Sequence, residues 1–152
     1  MKNNHNFAIF SLATLLTATA IPANATVMIS EIMRNPTAVS DTDGEWFEIF
    51  NPDSTSVDLG GWTISDADSD SHTIAAGLTI DPDGVLVLGR NGDPATNGGV
   101  SVDYVYSGIS LANSADEIIL SDTADVVIDE VFFDTSWPDA AGVAMALKDP
   151  AL

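Results

Sequence analysis

Asp66-Ala67-Asp68-Ser69-Asp70-Ser71-His72 is the run with the clearest capacity for chemistry in this 152-residue chain. Alternate carboxylates on a loop can converge on a hard cation such as calcium, which takes about six to eight oxygen ligands. Asp66, Asp68 and Asp70 are therefore the candidate metal ligands. The helix-flanked calcium loop is not the template, because its sixth position would be Ser71 rather than glycine and its twelfth Gly77 rather than glutamate. A solvated acidic loop is the competing reading of the same residues. Asp41, Asp43 and Glu45 form a second, sparser acidic group. His72 is the one histidine after residue 25, and a single imidazole among carboxylates makes a poor zinc site.

Enzymatic readings find little in the sequence. No serine lies in a nucleophile elbow, and there is no cysteine. Paired carboxylates could hydrolyse glycosides, but among 23 acidic residues some pair falls at catalytic distance by chance. A small hydrolase using a metal at residues 66–70 is the remaining enzymatic alternative. The sequence is read as non-enzymatic. Of the three tryptophans, Trp62 alternates with Ile64 on an apolar face and is assigned to the core, as is Trp46. Trp137 precedes Pro138 in a loop and is the candidate exposed aromatic for binding.

These residues must be carried by strands. Trp62 and Ile64 alternate with Thr63 and Ser65, and Val102, Tyr104 and Tyr106 repeat at period two. The apolar runs 85–88, 118–120 and 126–133 read as strands covered on both sides. Turn formers such as Asn51-Pro52, Gly60-Gly61 and Asp83-Gly84 separate them at short intervals. Many short strands with closely spaced turns predict a sandwich or barrel. Residues 90–100 are the segment expected to be mobile.

Composition bounds the rest. Residues 7–20 are apolar and too short to span a membrane, and Ala23-Asn24-Ala25 offers the small-x-small pattern of a signal peptidase site. Residues 1–25 are expected to be a secretory signal, leaving 26–152 as one soluble domain. A chain of that length buries roughly two-thirds of its unfolded surface, so it can be stable without disulfides. Beyond residue 25, Arg34, Arg90 and Lys148 face 23 carboxylates, a net charge of −20. Such a surface repels nucleic acid and anionic lipid, and salt or divalent cations should relieve its self-repulsion.

Several segments, in order, carry a family resemblance. They are Val27-Met28-Ile29-Ser30-Glu31-Ile32-Met33, Glu45-Trp46-Phe47-Glu48-Ile49-Phe50-Asn51, Leu59-Gly60-Gly61-Trp62-Thr63-Ile64-Ser65-Asp66 and Asp116-Glu117-Ile118-Ile119-Leu120. Together they resemble the lamin tail domain, which also recurs in secreted bacterial proteins. The resemblance implies an all-β, immunoglobulin-like antiparallel β-sandwich over residues 27–150. It further implies a non-catalytic interaction or scaffolding module, binding a protein or a surface glycan and requiring no cofactor. Two departures from the family stand out: Ala124 replaces the usual glycine of the late hairpin turn, and the family's closing segment is absent, as a short final strand or a truncated chain would each give.

Overall fold

A computed structural model describes residues 26–137 and 140–148. The expected secretory signal lies outside the described residues. The elements are β1 (Met28–Met33), α1 (Asp41–Gly44), β2 (Trp46–Phe50), β3 (Val57–Asp58), β4 (Thr63–Ser65) and β5 (Ser71–Thr73). There follow β6 (Thr79–Ile80), β7 (Val85–Gly89), β8 (Tyr104–Val105), β9 (Asp116–Ser121), β10 (Val127–Phe133) and β11 (Met145–Ala146). One sheet has the order β11-β1-β2-β7-β8 and the other β10-β9-β4-β5, with β3 and β6 forming a small third pair. All pairings are antiparallel except β7 with β8. This is the immunoglobulin-like sandwich that the resemblance implies.

Alternation builds the core. Ile29, Ile32, Phe47, Ile49 and Leu88 project from one sheet, and Ile64, Ile118, Leu120 and Phe133 from the other. Trp62 is buried among them, as its alternation with Ile64 predicts. Each large aliphatic or aromatic side chain taken out of water here contributes about 1.5–3 kcal/mol, and no cysteine cross-link assists.

Three expectations are corrected. The run 85–88 is covered on one side only: Leu88 is sealed and Val85 is 52% exposed. Register explains this, since Leu88 and Leu86 lie opposite the buried Phe47 and Ile49, whereas Val85 lies opposite the half-buried Phe50. The run 126–133 is likewise open on one face. It contains the outer strand β10, with Val127 and Phe132 exposed and Phe133 fully buried. Trp46 is half-buried rather than core, on the opposite face of β2 from Phe47 and beside Pro36, Val39 and Val100.

Turns follow side-chain chemistry. Asn51 is buried, and its amide donates to the carbonyls of Thr55, Ile80 and Asp81 while its oxygen accepts from the Asp53 N–H. Residues 90–100 are stitched around Asn97, whose amide donates to the carbonyls of Asn91 and Val100 and whose oxygen accepts from Gly99 and Val100. In the β9–β10 turn the positive φ of 59° falls on Asp125, not on Ala124. Asp122 accepts there from the N–H groups of Ala124 and Val126, so the missing glycine costs nothing at position 124.

Candidate functional site

The acidic loop spends two of its three candidate carboxylates on its own backbone and a neighbouring turn. Asp66 Oδ1 accepts from the N–H groups of Asp68 and Asp70, at 3.0 and 2.9 Å. Asp70 Oδ2 accepts from the Ser110 N–H at 3.1 Å, tying the loop to the segment before β9. Asp68 is exposed. Among the described residues, no three His, Asp or Glu side chains are grouped so as to hold a metal ion. Asp66→Ala is expected to lower stability by about 1–2 kcal/mol through the loss of two loop hydrogen bonds, equally in chelator and in millimolar calcium. Thermal melts under both conditions check this, and a calcium-specific shift that disappears in the variant would reassign the loop as a metal site.

His72 faces away from this role. Its Nε2 lies 2.9 Å from the Tyr104 hydroxyl and its Nδ1 3.2 Å from the Ser107 carbonyl. The Ala75 N–H donates to the same hydroxyl. The Ser107 N–H also lies 3.3 Å from Nδ1, so two tautomers fit: Nδ1–H donating to the Ser107 carbonyl with Tyr104 donating to Nε2, or Nδ1 accepting from the Ser107 N–H with Nε2–H donating to Tyr104. Those bonds join β5 to β8 and therefore one sheet to the other.

The second acidic group diverges. Asp41 accepts from the Asn113 amide and Asp43 from the Ser40 hydroxyl, whereas Glu45 turns inward. Glu45 is 3% exposed, meets Arg90 Nη1 at 2.8 Å and accepts from the Leu111 N–H at 3.2 Å. Burial holds its carboxyl above the usual range despite the guanidinium and amide that favour the charged form. Sequence reading missed this pair. The signal available was an isolated arginine just past the strand that aligns with Glu45, and only the register of β2 against β7 reveals that alignment.

The other end of the sandwich is different in character. β1 lies between β2 and β11, and the Ile29 N–H donates to Asp129 Oδ2 of β10 at 2.7 Å. That bond holds the two sheets together at one margin. There, Ile29, Ile32, Val131, Trp137, Met145 and Leu147 line an open, mainly apolar cleft. A turn sets Trp137 in place: its N–H donates to the Asp134 carbonyl, and Asp134 Oδ1 accepts from both the hydroxyl and the N–H of Ser136. Those Ser136 bonds hold the Asp134 carboxyl below its usual range.

Of the eight large hydrophobic side chains exposed among the described residues, Trp137 and Leu147 line this cleft, while Val127 and Phe132 belong to the outer strand β10. Solvent-facing apolar residues that gather rather than scatter mark contact surfaces. β10 also has no strand on its second side among the described residues.

The Lamin Tail Domain family model matches residues 20–135. The chain belongs to the lamin tail domain family. The match takes in both sheets through β10. No curated protein matches the chain. Lamin tail domains are immunoglobulin-like and non-enzymatic as a family, so the margin built from β10, β11 and Trp137 is weighed as a binding surface. In this lamin tail domain Glu48 accepts from the Ser30 hydroxyl at 2.7 Å. Its role is to bridge β1 and β2.

Proposed function

We propose that this lamin tail domain is a secreted, non-catalytic interaction module that binds a protein through the margin formed by β10, β11 and Trp137. The observation carrying the reading is the apolar cleft in which the exposed Trp137 and Leu147 meet residues of β1, β10 and β11, beside an edge strand. An edge strand offers unpaired N–H and C=O groups to an incoming segment, and flanking apolar pockets give it side-chain specificity. Several aliphatic groups around one tryptophan suit a polypeptide better than a sugar ring, which asks for a flat aromatic platform edged with polar groups. A second copy is disfavoured, because two domains of charge −20 repel. The same charge favours a neutral or basic partner and opposes nucleic acid. Among the described residues no helix is long and apolar enough to cross a membrane.

Export rests on residues 1–25, with removal after Ala25. The alternative reading, a calcium-binding structural or adhesive domain, rests on the carboxylates of Asp66, Asp68 and Asp70, in the loop before β5 and away from this margin. The test begins with proteins from the cell exterior that the domain retains, identified and then titrated one at a time. Trp137→Ala should weaken the specific partner by about 30-fold or more, the scale of an interfacial tryptophan anchor, and leave the melting temperature unchanged. Equal affinity in the variant would remove the margin from the interface.

A further inference from the structure

Thr26 stands just before β1, at the entrance to the sandwich, and it is held from one direction. Its backbone N–H donates to Asp53 Oδ2 at 3.1 Å and its hydroxyl donates to Asp53 Oδ1 at 2.7 Å. Both oxygens of one carboxylate are thus engaged by two neighbouring groups of one residue. The carboxylate is set in advance, because the Asp53 N–H donates to the side chain of Asn51, which three backbone carbonyls lock in turn. On the other side Val27 is buried in the core and fixes where Thr26 can lie.

The expected cleavage after Ala25 would change the chemistry of this contact. Hydrolysis of the Ala25–Thr26 peptide bond consumes one water, leaves the Ala25 carboxylate on the departing leader and converts the Thr26 amide nitrogen into an α-amine, protonated at neutral pH. We infer that Asp53 is a docking site for the processed N-terminus, binding the α-ammonium and β-hydroxyl of Thr26 together. This rests on the reading that the leader is removed at Ala25. A vicinal ammonium and hydroxyl match a carboxylate's two oxygens, so the site suits an N-terminal threonine or serine and no residue lacking the hydroxyl. The new ammonium is also a fourth cation in a domain with three, placed against one of its carboxylates. It seals the start of β1, the strand next to β11 and the proposed binding margin.

A contact with a carboxylate favours the ammonium, so the amine holds its proton more tightly in the folded domain than in the unfolded chain. Its contribution to stability is complete below the ordinary α-amine range and is lost as pH rises through the folded value.

The full 152-residue chain, produced with its leader in a secreting host, provides the test. Intact mass and N-terminal sequencing of the exported product come first, then NMR titration of the Thr26 amine in that product and in Asp53→Asn. The expected product begins at Thr26, and its amine titrates about half a unit above the ordinary α-amine value, roughly threefold tighter proton binding. Asp53→Asn returns the amine to the ordinary value, and so does about 1 M sodium chloride on the unaltered protein, which needs no variant to fold. A product beginning at Thr26 whose amine titrates alike with and without the carboxylate overturns the docking site and leaves the export reading intact. A product that keeps its leader, or begins at another residue, overturns the cleavage reading and the docking site with it.

Discussion

Phe133→Ala should lower the unfolding free energy by about 3–5 kcal/mol and the melting temperature by on the order of 10–20 °C. Phe133 ends β10 fully buried, and its ring lies 5.0 Å from the guanidinium carbon of Arg34. Arg34 is itself 2% exposed and donates through Nη1 to the Asn113 carbonyl at 2.7 Å. Truncating the ring leaves a cavity and also removes the aromatic face against which a buried cation is packed. Phe132, the preceding residue, points the other way and is 55% exposed. Phe132→Ala should therefore change the melting temperature by no more than a few degrees. Thermal melts of the two adjacent variants measure this contrast, and equal losses would contradict the assignment of β10 as an edge strand with one buried face.

Glu45→Ala is the second large effect, at about 2–4 kcal/mol. The substitution strands Arg90, whose side chain is 24% exposed, and leaves the buried Leu111 N–H without its acceptor. Partial solvent access to Arg90 sets the figure below that of a fully buried ion pair. Charging this carboxyl nevertheless works against the fold. Burial raises the folded values of both Glu45 and Glu31, the latter with help from the neighbouring Glu48, above the ordinary carboxylate range. A carboxyl raised in this way contributes stability that is complete below the unfolded value and is lost as pH climbs through the folded one. The melting temperature should accordingly rise as pH is lowered from 7 toward about 5, with relief of the −20 charge adding in the same direction. Glu45→Gln should flatten part of that rise. A melting temperature that falls steadily over the same interval would contradict the sign.

The fold was legible because its strands alternate and its turns carry their own chemistry. Trp62 and Ile64 identify a buried face with no help from elsewhere in the chain, and Asn51-Pro52 marks the turn that Asn51 locks. What strand patterns do not reveal is position within a sheet. Val126-Val127-Ile128 and Val131-Phe132-Phe133 look like a strand covered on both sides, yet β10 lies at a margin, and only its pairing with β9 alone among the described residues shows it. Glu45 and Arg90 are 45 residues apart, so their contact exists only once β2 and β7 are in register. The acidic loop is the opposite case, a pattern plain in the sequence whose hydrogen bonds are not. Alternate aspartates are candidate ligands in sequence, and in the fold Asp66 accepts from the loop's own N–H groups and Asp70 from Ser110. The exposed aromatic Trp137 was legible from its loop context, but the apolar surface around it was not, because Met145 and Leu147 reach the margin only through the pairing of β11 with β1.

Hydrogen–deuterium exchange of this lamin tail domain, alone and with its identified protein partner, tests the central claim most directly. Binding should slow exchange in Val127–Phe133 and in Met145–Ala146 together, while Ser71–Thr73 at the far edge of the same sheet as β10 exchanges as before. Protection confined to residues 66–73, or spread evenly over both sheets with none added at β10, would contradict it.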